Sequence, residues 1–308
     1  MTSSNSRGKR TIFPFFAALV FFLPFLFFSC AEGKVYDLKK EPIDVIIPCT
    51  EKDLPTLEFC IKGIKEYGKE IRRVIVISDK RLTTKAEWFD EKNYPFTKEE
   101  IAHAIFQDEA KGLEYVQKPG SRIGWIYQQL LKFYAPFVIP NISSNILLLD
   151  ADTVFINPIE FLNEKGGGCF NIGDEFHQPY FDHAKRLLPE FKKQYPDYSG
   201  ITHHMLFQRP IVTDLMETVE KTHNCPFWKA IVQCIEKDPV PSSSFSEYEI
   251  YFNFALSQTD QVEIRPLLWK NTRSLKSLKK YKKRNYHYLS CHDYLRTPKQ
   301  RKDKNDET

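Results

Sequence analysis

From about residue 43 onward, apolar positions recur along the chain in two alternating rhythms. The run IDVIIPC (43–49) is short and apolar, the pattern of a strand buried on both faces of a parallel sheet. Next, LPTLEFCIKGIKEYG (54–68) places Leu57, Cys60, Ile61 and Ile64 at helical spacing, with Gly68 as its stop. RRVIVIS (72–78) predicts a second buried strand. A polar, aromatic region follows, and then GLEYVQK (112–118) reads as a third. IGWIYQQLLKFYAPFV (123–138) predicts an amphipathic helix up to Pro136, with Ile123, Ile126, Leu130 and Phe133 turned to the sheet. NILLLDADTVFI (145–156) predicts the fourth strand. Such alternation implies an α/β fold, a mostly parallel sheet flanked by helices.

After Pro158 the rhythm loosens. EKGGGCF (164–170) reads as a flexible turn and lacks the GK[ST] ending of a P-loop. The stretch 180–198 mixes helix and loop signals. IVTDLMETVEKTH (211–223) predicts a helix with Val212, Leu215, Met216 and Val219 on one face, and EYEIYFNFALSQ (247–258) predicts another. The first half thus carries the regular sheet, and the second half the structure that would select a substrate.

Ahead of this pattern, Arg7, Lys9 and Arg10 precede an apolar run from Ile12 to Phe28 that ends FFSCAEG. A positive flank, an apolar core and small residues are the layout of a secretory signal. The run holds Pro14 and Pro24 and is short for a spanning helix. Residues 1–31 therefore read as a signal peptide or an uncleaved anchor, and Ser29-Cys30 resembles a loose lipoprotein cleavage box. The expectation is a membrane-associated protein, exported or anchored through residues 12–30. One domain spanning 40–295 follows, with a basic, disordered tail over 296–308.

Composition changes this picture little. With 42% hydrophobic and 14% aromatic residues, the 308-residue chain can build a substantial core, which excludes global disorder. The net charge of +4 hides an uneven distribution, because basic residues crowd the stretch from Lys270 to Lys304. A solvated face, a phosphate-binding face or an anionic membrane surface each accounts for that run. Nucleic acid is not expected as a partner, since no reading motif accompanies the charge. Of the seven cysteines, six remain once Cys30 is set aside, an even number that permits disulfides in an oxidising compartment. Buried free thiols fit Cys49 and Cys60 as well, and the spacings match no zinc site.

The chemistry concentrates where three leucines run into Asp150 and Asp152. Burying a carboxylate costs several kcal/mol unless it is paired or bound to a metal. In open α/β sheets, ligands bind beyond the carboxyl ends of the strands, where these two residues fall. A turn after Asp150 would let both approach one divalent cation, with phosphate oxygens completing its shell. The plainer alternative is a salt-bridged Asp150 and an Asp152 that caps the next turn. LLLDADTV also matches the strand-end signature of haloacid-dehalogenase-like phosphatases, with Asp150 as nucleophile. In that family the motif follows the first strand, whereas here three strands are expected before it.

Five segments, DVIIPCTEKDLPTLEFCIKGI, RIGWIYQQLLKFYA, NILLLDADTVFINPIEF, ITHHMLFQRP and SEYEIYFNFAL, occur in the order seen in a bacterial family of proposed glycosyltransferases, DUF6492. That family resembles the GT-A superfamily of nucleotide-diphospho-sugar transferases, and the similarity covers roughly residues 43 to 270. The resemblance implies a GT-A-like, Rossmann-like sheet and a nucleotide-sugar donor. It also implies a glycan or lipid acceptor and a divalent metal, Mn²⁺ or Mg²⁺, held by the DxD at Asp150 and Asp152. By the same resemblance Thr50 and Asp53 would contact the base or ribose, with simple capping of the helix before Leu54 and Pro55 as the alternative, and a late histidine, His292, would complete the metal shell.

Arg122, near a helix start, is placed to meet a phosphate, and Gln129 and Lys132 belong to the same donor-binding segment. Of the adjacent His203 and His204, only one can face the substrate if they lie on a strand. His203 is the binding candidate and His204 the catalytic one. Glu247 is the candidate base for the acceptor hydroxyl and Glu249 a further donor contact, although Ser246 followed by Glu249 also fits a capping box. A non-catalytic, membrane-tethered carbohydrate-binding protein is the alternative of a different class.

Overall fold

The computed structural model describes residues 33–237, 240 and 243–296. The expectations for the N-terminal segment and for the chain beyond Arg296 lie outside them. Among the described residues the first elements are β1 (Ile43–Pro48), α1 (Leu54–Tyr67), β2 (Ile71–Ser78) and β3 (Glu87–Asp90). Then come α2 (Lys98–Phe106), α3 (Glu109–Gln117), α4 (Ile123–Val138), β4 (Asn145–Leu149), β5 (Thr153–Phe155) and β6 (Cys169–Phe170). α5 (Gln178–Leu187), β7 (His204–Gln208), α6 (Arg209–His223), α7 (Phe227–Gln233) and α8 (Glu247–Gln258) make up the next part. Last are β8 (Glu263–Ile264), β9 (Trp269–Asn271), α9 (Leu278–Lys282) and β10 (Tyr288–Ser290).

The main sheet has the order β3-β2-β1-β4-β7, parallel except for β7, which runs against β4. This is the mostly parallel, helix-flanked α/β sheet that the sequence pattern implies. Strand residues alternate between its two sides. Ile46, Ile75, Leu148 and Phe207 face the core beneath α4 and α8. Val45, Ile47, Val76, Leu147 and Leu149 face the core beneath α1. Apolar residues on both faces are what make these strands continuous hydrophobic runs. A Cβ on Gly63 would lie 2.6 Å from the Phe155 carbonyl oxygen, so only a glycine lets α1 press this closely on β5.

Three elements differ from the sequence reading. GLEYVQK is helical, within α3, and the third parallel strand is the short β3 instead. Asp108 starts α3 by accepting a bond from the Lys111 amide at 3.1 Å, and Gly112 packs against α2 where a Cβ would meet the His103 nitrogen at 2.9 Å. β3 is partly exposed along its length, so no apolar run announces it. α4 continues two residues past Pro136, because a proline in the last turn forfeits only one helical bond. The stretch 145–156 is two strands: β4 ends at Leu149, and β5 joins β10 and β9 in a second, three-stranded sheet. Among the described residues no helix is long and apolar enough to cross a membrane, and no two cysteines form a disulfide.

Candidate functional site

The chain leaves the main sheet at Asp150 and enters the small sheet at Thr153. Its turn is fixed through the backbone. The Asp150 amide donates to the His203 carbonyl at 3.0 Å, the Thr153 amide to Asp150 at 3.0 Å, and the Cys291 amide to the Asp152 carbonyl at 2.9 Å. The two aspartates therefore sit at the carboxyl end of β4 between two fixed neighbours, His203 and the end of β10.

Asp150 faces α4 and α8. Lys132 donates to Asp150 Oδ1 at 2.6 Å, to Glu247 Oε1 at 2.5 Å and to the Tyr248 hydroxyl at 3.0 Å, and Tyr248 donates to the same Asp150 oxygen at 3.2 Å. Burial disfavours the Lys132 ammonium, but Asp150 and Glu247 outweigh it and hold Lys132 well above its ordinary pKa. Burial would raise Asp150, yet Lys132 and His203 hold its carboxyl far below the usual range. In Glu247 burial prevails over the pull of Lys132 and the pKa is raised. Gln129 lies behind this cluster and accepts the Glu247 amide at 3.0 Å.

Asp152 faces the small sheet. Its Oδ2 meets His292 Nδ1 at 2.9 Å, whereas its Oδ1 is buried and has no hydrogen-bond partner. Burial lowers the His292 pKa, but its bond to Asp152 more than offsets this and the net shift is upward. His203 lies with its ring against His292 (centroids 4.6 Å apart) and Trp269, its Nδ1 3.7 Å from Asp150 Oδ2. His203 Nε2 is likewise buried without a partner. Asp53 is pushed up to about 6 by burial, against Lys52 and with Asp152 adding to the rise, and Arg296 binds it at 3.3 Å.

An orphaned carboxylate oxygen beside an imidazole is a donor set that suits a divalent cation. Among the described residues no group of three or more His, Cys, Asp or Glu side chains is arranged to hold a metal. Asp152 and His292 thus fit a cation that takes most of its shell from ligand oxygens and water, as Mg²⁺ does at phosphate sites.

Beside Asp53, a cleft of ≈ 270 Å³ opens over the ends of β1 and β2, lined by Thr50, Asp53, Arg122, Trp125 and Gln128 among others. The Arg122 guanidinium lies over the Trp125 ring, 5.2 Å from its centroid. Larger hollows lined by Lys69, Glu160 and Arg265, and by Arg72, Arg73 and Arg81, involve neither aspartate.

The structure thus groups Lys132, Asp150, Asp152, His203, Glu247 and His292, with Asp53, Thr50 and Arg122 along the adjoining cleft. Two of the sequence candidates go elsewhere. His204 is enclosed by Phe155, Phe161 and Tyr288 and bonds the Thr202 carbonyl at 3.0 Å, and burial pushes its pKa down to about 3. Glu249 accepts the Gly200 amide at 2.9 Å and an Asn253 amide hydrogen at 2.7 Å. The N-cap is present, since Ser246 accepts the Glu249 amide, but the Glu249 side chain does not return it. Tyr248, Trp269 and Arg296 are functional neighbours that the sequence reading does not single out. Tyr248 adjoins Glu247 and is open to notice on that ground. Arg296 falls in the stretch read as tail, yet its side chain is 2% exposed and holds the Lys52 carbonyl, Asp53 and Thr56.

A search among curated proteins finds no match to the chain. Among solved structures, mouse xyloside xylosyltransferase 1 in its apo form superposes with a TM-score of 0.39 at 11% sequence identity, covering 84% of this chain and 99% of that one. A likeness of that size carries no argument about activity. The model of a family of unknown function, DUF6492, matches residues 40–282, and on that match, which spans most of the chain, the protein belongs to the DUF6492 family.

Proposed function

We propose that the protein is a metal-dependent glycosyltransferase that moves a sugar from a nucleotide-diphosphate donor to a glycan or lipid-linked acceptor. The observation that carries this reading is Asp152 Oδ1, a buried carboxylate oxygen without a partner at the carboxyl end of the sheet. Natural structures leave few such atoms unmet, and one that lies beside His292 at the carboxyl end of the strands is where an ion or ligand would meet it. Asp152 and His292 would hold the cation, with Asp150 contributing charge beside them. When bound, Mn²⁺ or Mg²⁺ supplies Lewis-acid neutralisation of the charge that develops on the departing diphosphate.

The remaining roles follow from position. Arg122 lines the cleft with its guanidinium over Trp125, a cationic wall for donor phosphate. Thr50 and Asp53 border the same cleft, where the ribose or base would lie. Lys132 keeps Asp150 ionised and fixes its orientation. Glu247 is bonded to Lys132 with its side chain 2% exposed, so serving as base toward an acceptor requires displacing that ammonium. His204 is sealed from solvent and supports the strand. Nucleophilic use of Asp150, as a phosphatase would need, competes with the two bonds already made to its Oδ1.

The test is a donor screen on the full chain with UDP-, GDP- and CMP-sugars, each with Mn²⁺ or Mg²⁺. One donor should bind only with metal and release its nucleotide slowly, and EDTA or Asp152→Asn should abolish both. Failure of folded protein to bind any donor, or metal-independent hydrolysis of a phosphate ester that requires Asp150, overturns the reading.

A further inference from the structure

A strongly basic stretch of the chain plays no part in this chemistry. Between Ile264 and His292 there is no acidic residue, whereas Lys270, Arg273, Lys276, Lys279, Lys280, Lys282, Lys283 and Arg284 are all exposed. Of the chain's 44 lysines and arginines, removing these eight leaves 36 against 40 acidic residues, so the rest of the sequence is net acidic. The positive charge of this protein is therefore a local feature.

The fold gives the segment one cationic side. Leu275, Leu278, Tyr281 and Tyr286 pack inward on Val154, Ile156 and Leu289, which turns the lysines outward. Lys282 donates to the Tyr67 hydroxyl, and Lys270 and Lys280 lie near the Tyr281 ring, 5.9 Å from its centroid. Among the described residues no salt bridge joins any of the eight to a carboxylate. At the segment's start Leu268 is 48% exposed, a large apolar side chain at the edge of a cationic surface.

We propose that this face, β9 through α9 to β10, docks on an anionic lipid bilayer. Clusters of four to eight lysines and arginines are attracted to anionic headgroups, and an exposed leucine adds an apolar foothold in the headgroup layer. Single-stranded nucleic acid fits less well, because its binding sites offer exposed aromatic rings to stack bases, and here Tyr281 and Tyr286 are turned into the core. The sequence also holds the apolar run from Ile12 to Phe28, so a bilayer-facing surface on the folded unit would act together with that segment. The face is continuous with the candidate site: β10 leads directly into Cys291 and His292, and Trp269 of β9 touches His203. Docking there would hold the site close to the bilayer surface.

The experiment is vesicle co-sedimentation, using phosphatidylcholine vesicles with and without phosphatidylglycerol. The described residues from Gly33 onward carry their own hydrophobic cores, so a 33–308 fragment can be tested apart from the apolar run, and the full chain is run in parallel. The expected result is binding of 33–308 that requires phosphatidylglycerol and is released at high salt. The variant K279E/K280E/K283E/R284E should lose about six-hundredfold or more in partition, at about fivefold for each positive charge removed. In the full chain the same variant should leave binding to neutral vesicles unchanged and remove the extra binding to anionic ones. Equal binding to neutral and anionic vesicles, or an undiminished variant with an unaltered melting curve, overturns the proposal. Binding of a single-stranded oligonucleotide with none to anionic vesicles also overturns it, as would tight binding of free inorganic phosphate that prevents vesicle binding.

Discussion

Asp44 and Asp152 are both aspartates at ends of the same sheet, and their surroundings could hardly differ more. Asp44 lies near the start of β1, fully buried, and each of its oxygens is met. Arg72 donates to both at 2.8 and 2.5 Å, and Oδ2 also receives Arg73 at 3.1 Å and the Ser143 amide at 2.9 Å. Asp152, just past β4, has one oxygen on His292 and one on nothing. A buried carboxylate with both oxygens engaged is part of the framework, whereas one left open at the carboxyl end of the strands is a place for a ligand. The adjacent histidines repeat the contrast. His204 is enclosed and bonded to the Thr202 carbonyl, while His203 keeps an unpartnered ring nitrogen beside Asp150 and His292.

The contrast makes opposite demands of the two ends. Asp152→Asn should lower donor turnover by at least about a hundredfold and move thermal unfolding less than Asp44→Asn does, since only one of its oxygens is engaged, by His292. Asp44→Asn should do the reverse. If Asp44→Asn costs as much turnover per folded molecule as Asp152→Asn, the division between framework and site fails.

Acid unfolding sharpens the same point through the histidines. His204 has its pKa pushed down from 6.5 to about 3 and His183 to about 4, both by burial. An unfolded histidine takes up a proton that the folded one refuses, so stability is full above pH 6.5 and falls as pH drops toward 3. His204→Gln and His183→Gln should each reduce that loss by about 3 kcal/mol in urea titrations run across pH 7 to 4. An unchanged slope in both variants would mean that neither ring is held neutral by the fold.

The smallest expected effect is the loss of Asp44's ion pairs. Burial raises the Asp44 pKa, but Arg72 and Arg73 more than offset it, so the folded value is depressed. Its contribution is present above the ordinary carboxylate range and fades as pH falls through the depressed value. Asp44→Asn should cost about 2–3 kcal/mol at neutral pH, below the ~3–5 of a wholly buried pair because Arg72 stays partly hydrated. Measured at pH 3, the difference should shrink.

Much of this arrangement was legible in the sequence. The buried strands β1, β2 and β4 announce themselves as apolar runs, and α1, α4 and α6 by their spacing, because one-dimensional patterning reports burial directly. The aspartate pair was visible for the same reason: two carboxylates straight after three leucines call for an explanation. Where the pattern misleads, the cause is local ambiguity. GLEYVQK is short and carries Tyr115 and Val116, residue types that favour strands, but Asp108 and the close approach of Gly112 to α2 made it a helix. β3 is an edge strand held by pairing with β2, and pairing leaves little mark on four partly exposed residues.

The sequence by itself determined which segments are buried, where the main sheet's first and fourth parallel runs lie, and that Asp150 and Asp152 end one of them. Only the tertiary structure decided which residues stand beside those carboxylates. Lys132, His203, Glu247 and His292 come from four separate parts of the chain, and no local pattern records their distances. Tertiary structure also decided that His204 and Glu249 turn away while Arg296 turns in. The reason is physical: periodicity encodes which side of an element is apolar, whereas a site is a matter of which atoms are left unsatisfied once every element has packed.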